Sequence, residues 1–185
     1  IRVSWDEAVD FCKKLSAKTG LKITLPTEVQ WEWACRAGSD NDFWYGDMNT
    51  DFGKFENLAD KTTLLFAVSG VDPKPMSPNS YWYKYYTYLP KEEGVDDGQL
   101  IQTGDKVYQA NPFGLYNMHG NVSEWTRSDY VPYPYNEKAK VTSDHKVVRG
   151  GSYIERPKFS TSYARKAYYP YQRVFNVGFR VIIED

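Results

Sequence analysis

Apolar residues recur at helical spacing in two stretches, both within the first 40 positions of the chain. Ala8, Phe11, Cys12 and Leu15 follow Ser4-Trp5-Asp6-Glu7, a capping box in which the serine hydroxyl accepts from one end amide while Glu7 reaches back to the other. Gly20 supplies a stop. Thr27-Glu28-Val29-Gln30 repeats the device, with Trp31, Ala34 and Cys35 on one face and Gly38 as the stop. Two helices are predicted there. From 38 to 145 Gly, Pro, Asn and Asp recur every few residues, which predicts loop with short strands. Within it, 73–90 is a long proline-bounded insertion carrying Tyr81-Trp82-Tyr83, Tyr85-Tyr86 and Tyr88. Strand patterns return at Lys146–Arg149 and in the β-branched run Gly178–Ile183.

Composition narrows the classes. A chain of 185 residues is expected to form one domain, 1–185, and a formal charge of −1 gives no electrostatic reason to expect nucleic acid or an anionic membrane as partner. No apolar run approaches the ~20 residues of a membrane helix, so no span is expected in this chain. The chain opens inside a helix cap, as a piece of a longer chain or assembly would, and an upstream leader or anchor would not be visible. Aromatics make up 17%, with 16 Tyr against 9 Phe. Such an excess fits a recognition face, or equally a core of rings under irregular loops. Cys12 and Cys35 are the only cysteines; on the apolar faces of the two helices they read as small buried hydrophobes, not as a disulfide framework.

Several candidate chemistries fail on spacing. Asp47-x-Asn49-x-Asp51 lacks the glycine and terminal acid of an EF-hand, since Gly53 falls one place late and Leu58 stands at the last ligand position. His119 and His145 are too few for a zinc or iron centre made by this chain alone. Ser152 follows Gly150-Gly151 without the surroundings of a nucleophile, and the sequon Asn121-Val122-Ser123 sits in a run too structured for glycosylation. That run, Gly114–Trp125, gathers side-chain oxygens from Asn117, Asn121 and Glu124 with carbonyls freed by a glycine turn. A hard cation wants such a mixture; an Asx-type turn satisfying its own backbone would show the same residues.

Five ordered motifs resemble the formylglycine-generating enzyme (sulfatase-modifying factor) family. They are Val3-Ser4-Trp5-x-Glu7-Ala8-x-x-Phe11-Cys12, Leu25-Pro26-Thr27-Glu28-x-x-Trp31-Glu32-Trp33-Ala34-Cys35-Arg36, the Gly114–Trp125 run, Val148-Arg149-Gly150-Gly151-Ser152-Tyr153, and Asn176-Val177-Gly178-Phe179-Arg180. The resemblance implies an α+β, C-type-lectin-like fold of two helices, a small twisted antiparallel sheet and long irregular loops, with the N-terminal part of the family fold absent. It also implies two calcium sites. One matches Asn117 and Glu124 by side chain with Gly120 and Val122 by carbonyl; the other matches Asn57 and Leu58 with Asp97 and Gln99. The first set is the stronger expectation, because the insertion at 73–90 separates the two halves of the second.

The chain departs from the family at its chemistry. Members that make formylglycine carry a cysteine pair after the Gly-Gly-Ser motif, and it binds copper and the substrate thiol. Here Glu155 stands near the first position and the second falls within 157–160, with no cysteine after Cys35, so no copper is expected. The leading expectation is a non-catalytic, calcium-stabilised module that binds protein or glycan, or scaffolds an assembly in a bacterial periplasm or at the cell surface. Its ligand groove would use Ser152, Arg156, Arg165, Tyr169 and Arg173. The alternatives are an oxidoreductase of the formylglycine-generating type acting on a protein cysteine, and an iron-dependent sulfoxide synthase module completed by an N-terminal domain.

Overall fold

Both capping boxes form. At helix α1 (Trp5–Thr19) the Ser4 hydroxyl accepts from the Glu7 N–H at 3.2 Å, and Glu7 Oε2 accepts from the Ser4 N–H at 2.9 Å. Gly20 ends the helix in the left-handed region, at φ 75°, which costs a residue without a Cβ little. At α2 (Glu28–Arg36) Thr27 and Gln30 exchange the same pair of bonds, at 3.1 and 2.8 Å. The apolar stripe of α1 is narrower than its spacing suggests: Ala8 and Cys12 are buried, whereas Phe11 is 48% exposed and meets Phe179 edge-on. Cys12 and Cys35 are free, buried thiols, and burial pushes the Cys12 thiol pKa up.

The computed structural model describes residues 1–69, 72–75, 77, 79, 91–104, 107–133 and 143–185. Its contacts divide the chain into two compact units. The first comprises Ile1–Trp31, Ser123–Arg149 and Arg165–Asp185. Among the described residues it contains α1, the start of α2 and six strands: β1 (Lys22–Thr24), β4 (Ser123–Asp129), β5 (Lys146–Arg149), β6 (Lys166–Tyr168), β7 (Val177–Phe179) and β8 (Ile182–Glu184). Four of these form a sheet in the order β6-β5-β4-β7, and β1 pairs with β8 separately. The expected small antiparallel sheet is present and is mixed at one edge, where β7 runs parallel to β4 with Glu124 opposite Gly178. The β-branched run at 178–183 is two strands, because the chain leaves β4 at Arg180 and rejoins a different partner at Ile182. Ala8, Cys12, Ile23, Leu25, Trp125, Val148 and Val177 form the core beneath.

The second unit comprises Glu32–Val122 and Gly150–Ala164. Apart from the end of α2 it holds a hairpin, β2 (Phe66–Ser69) with β3 (Asp72–Pro75), and two short 3₁₀ turns, Lys61–Leu65 and Pro157–Phe159. Of the insertion at 73–90, residues 73–75 complete that hairpin, while 76, 78 and 80–90 lie outside the described residues. The centre of this unit is a stack of rings. Phe43, Tyr45 and Phe55 lie parallel at centroid spacings of 5.0 and 4.7 Å, so part of the aromatic excess is core.

Candidate functional site

Asn57-Leu58 and Asp97-x-Gln99 are brought together in the second unit, although the insertion separates them in sequence. The junction is made by Asp60, which the sequence motifs did not single out. Its Oδ2 accepts from the Asp97 N–H at 2.6 Å, and its Oδ1 accepts from the Thr62 N–H at 2.8 Å. Asp97 in turn accepts from the Gln99 N–H at 2.7 Å and the Tyr108 hydroxyl at 2.8 Å. The Asn57 amide donates to the Ile101 carbonyl at 2.7 Å, and its Oδ1 is buried with no hydrogen-bond partner among the described residues. Burial first, and the neighbouring Asp60 carboxylate after it, raise the Asp97 pKa to about 6. The Asn57 amide oxygen and the crowded Asp60 and Asp97 carboxylates are all oxygen donors, the kind a hard cation such as calcium takes.

The 117–124 run behaves differently. Asn117 and Asn121 adopt left-handed backbone, at φ 56° and 66°, as an Asx-rich turn does. Asn121 closes the loop onto Thr103, accepting from its N–H at 2.8 Å and donating to its carbonyl at 3.2 Å. Its own N–H bonds the Asn57 carbonyl at 2.8 Å. Gly120 passes so close to that carbonyl that an added Cβ would lie 2.4 Å from the oxygen. Gly120→Ala is therefore expected to cost about 2 kcal/mol of stability through overpacking, read as a lower urea midpoint with an unchanged slope; an unshifted midpoint would show that the loop can move aside. Gly120, Asn117 and Val122 belong to the second unit and Glu124 to the first. Both Glu124 oxygens are already engaged: Arg180 donates to them at 2.5 and 2.8 Å and the Trp31 indole at 2.7 Å. A carboxylate held by a two-pronged guanidinium would have to give up part of that pairing to ligate a cation.

In the stretch where the family carries its cysteine pair, Pro157 and Ser160 are buried while Lys158 and Phe159 are exposed. Ser160 is fully buried, and its hydroxyl has no hydrogen-bond partner among the described residues. It lies where a Cβ on Gly151 would stand, 1.9 Å away, which accounts for glycine there at φ 70°. The Ser160 carbonyl faces His119 Nδ1 at 2.9 Å, and because a carbonyl only accepts, Nδ1 carries the proton. His119 Nε2 is then the acceptor for the Trp44 N–H at 3.2 Å and faces the Cys35 thiol at 3.3 Å. His119, one of two histidines too few for a metal centre of this chain's own, is thus a neutral, fully buried hub between Cys35 and Ser160. A copper dithiolate does not fit: Cys35 is the one thiol in this unit, and no cysteine follows it.

Three of the five residues expected to line a ligand groove are engaged in ion pairs. Arg165 donates to both Glu28 oxygens, at 2.5 and 2.8 Å, and to the Val131 carbonyl at 2.8 Å. The Tyr130 and Tyr133 rings lie 4.7 and 4.2 Å from its guanidinium carbon. Arg149, with a fully buried side chain, approaches the same carboxylate at 3.3 Å. Arg165 is therefore a structural cation, committed before any ligand arrives. Arg173 pairs with Glu7 at the surface, Arg156 pairs with Glu92 at 2.8 Å, and Ser152 is buried. Ser152 and Arg156 fall in the second unit and Arg165, Tyr169 and Arg173 in the first. Of the five, Tyr169 presents an accessible ring, 38% exposed.

Comparison with known proteins places this architecture. The chain is 28% identical over 189 residues to the formylglycine-generating enzyme of Mus musculus, covering 97% of this chain and 42% of that protein. It is 27% identical over 190 residues to that of Streptomyces coelicolor, covering 97% and 51%. The Mus musculus inactive C-alpha-formylglycine-generating enzyme 2 is also 27% identical, over 186 residues, covering 97% and 47%. The chain thus spans about half the length of these curated relatives. Among solved structures, PvdO from Pseudomonas aeruginosa superposes with a TM-score of 0.70 at 24% identity, over all of this chain and 61% of that one. Treponema denticola variable protein 1 gives 0.70 at 18% identity, over 97% and 69%. Those likenesses speak to fold. The sequence matches the sulfatase-modifying factor enzyme 1-like domain along residues 1–185, and the chain belongs to that family.

Proposed function

We propose that this chain is a non-catalytic member of its family: a calcium-stabilised module that binds protein or glycan, or scaffolds a bacterial extracytoplasmic assembly. The observation that carries the reading is the environment of Ser160. Within 157–160, where the second thiolate of the family pair is expected, no residue is a cysteine and Ser160 offers a hydroxyl packed against Gly151, whereas thiolate is what Cu(I) selects. Inactive relatives stand among the proteins it resembles. Calcium would be held by Asn57, Leu58, Asp97 and Gln99, where it would relieve the crowding of Asp60 and Asp97 and give the buried Asn57 oxygen a partner. An extracytoplasmic setting agrees with a domain that depends on ambient calcium. Among the described residues no helix is long and apolar enough to cross a membrane.

The test is mass spectrometry of a sulfatase-type Cys-x-Pro-x-Arg peptide incubated with the protein, copper and oxygen. The peptide should come back with its mass unchanged. Appearance of the formylglycine product would mean that the family oxidation proceeds without the thiol pair, and the non-catalytic reading would fall.

A further inference from the structure

In the second unit, the loop 48–52 and the turn 92–95 enclose, with Pro157, an open pocket of about 400 Å³. Its apolar lining comes from Phe52, which is 2% exposed, and buried Pro157, with Val95 and Met48 beside them. The walls are held by their own hydrogen bonds. Asp47 Oδ1 accepts from the Asn49 N–H at 2.9 Å, and Asp51 Oδ1 accepts from the Gly53 N–H at 2.9 Å. The Glu92 N–H donates to the Ala59 carbonyl at 2.8 Å, and the Val95 carbonyl accepts from the Lys61 N–H at 3.1 Å. The two walls touch, since a Cβ on Gly53 would lie 3.0 Å from Val95 Cγ1. A cavity built this way is formed before a ligand arrives.

Charge decides what the pocket takes. Both ionisable groups in its lining are carboxylates, Asp51 and Glu92. Each has one oxygen engaged: Arg156 Nε donates to Glu92 Oε1 at 2.8 Å, and the Gly53 N–H to Asp51 Oδ1. Among the described residues nothing donates to Glu92 Oε2 or Asp51 Oδ2. The neighbouring lysines are engaged elsewhere, Lys91 with Glu93 at 2.9 Å and Lys158 over the Phe159 ring at 4.8 Å. Such a lining repels an anion, and a purely apolar ligand would desolvate two carboxylates without replacing their water. A lysine has the complementary pattern, with a four-carbon stem to lie on Phe52, Val95 and Pro157 and a compact three-donor ammonium to take single oxygens from separate carboxylates. Arginine's planar fork seeks both oxygens of one carboxylate, and neither carboxylate here offers both. We infer that this pocket is the docking point for a lysine side chain of a protein partner. This names the partner chemistry of the binding role proposed above and rests on that reading.

The experiment is a titration of the ¹⁵N-labelled protein with a capped glycine peptide carrying one central lysine. Comparison peptides carry arginine, norleucine or acetyl-lysine at that place, and cadaverine stands for a free amine. The lysine peptide should shift the Gly53 and Gly94 amide signals saturably in the millimolar range. Norleucine and acetyl-lysine, which keep the stem and lose the charge, should bind about fivefold more weakly or less. Asp51→Asn keeps the oxygen that accepts from Gly53, and it should weaken the lysine peptide about fivefold, the scale of a solvent-exposed ion pair. No saturable shift, equal binding of norleucine, or an unchanged affinity in Asp51→Asn would overturn the site. Arginine bound as tightly as lysine would overturn the ammonium assignment, and cadaverine bound more tightly than the peptide would overturn a protein as its source. In the parallel sulfatase-peptide assay, formylglycine formation would strike down the non-catalytic reading whatever the lysine peptide does. A silent lysine peptide with an unmodified sulfatase peptide would remove this docking point alone.

Discussion

Glu28→Gln is expected to destabilise the fold by about 3–5 kcal/mol, the cost of removing one partner from a buried ion network. Glu28 is 8% exposed and holds two cations, Arg165 through both oxygens and Arg149 at 3.3 Å. Glutamine keeps the shape but leaves two guanidiniums facing a neutral amide in a low-dielectric setting. Because whole domains are stable by only about 5–15 kcal/mol, much of the population should be unfolded or aggregated at moderate temperature. Arg165→Ala should cost less, since Glu28 keeps Arg149. Equilibrium urea unfolding of both variants checks the order. A Glu28→Gln midpoint equal to that of the parent would show that the network contributes nothing net.

Calcium is expected to be the second large lever. A ligand bound only by the native state adds about 2.7 kcal/mol when free calcium is a hundredfold above its dissociation constant. For a chain of this size that amounts to a melting temperature higher by roughly 5–10 °C than in chelator. The dependence should vanish in Asp97→Asn. It should survive in Glu124→Gln, which loses stability for another reason, its pairing with Arg180. Survival in Asp97→Asn with loss in Glu124→Gln would move the ion to the 117–124 loop. Identical melting curves with calcium and chelator would remove calcium from the account altogether.

What the sequence disclosed follows the range of the forces involved. The two capping boxes each close within three residues, so helix starts at Trp5 and Glu28 were legible, as was the short run that became β5. The resemblance singled out 57–58 and 97–99 as an expected set, but not Asp60, because its partner lies 37 residues away across the insertion. The pairing of Arg165 was hidden for the same reason. Its tyrosine-rich neighbourhood looks like a recognition surface, while the carboxylate that occupies it is 137 residues distant. His119 was judged by counting metal ligands, a criterion blind to a neutral imidazole bridging a carbonyl and a backbone amide. The parallel placement of β7 had no local signal at all.

That parallel edge bears on how the protein is made. The first unit is assembled from three separated segments, and its sheet gains β7 only when residues beyond Asn176 are available. Arg2 donates to the Val177 carbonyl at 3.0 Å, tying the beginning of the chain to nearly its last strand. During synthesis α1 must therefore wait, its apolar stripe covered only by Ile23 and Leu25, until β4, β5 and β7 bring Trp125, Val148 and Val177 to the core. Contacts of such sequence separation make folding slow, and a waiting amphipathic helix is a natural substrate for chaperones. Nascent chains stalled before Val177 should then be protease-sensitive in their first 30 residues and become resistant only as the last strands are released.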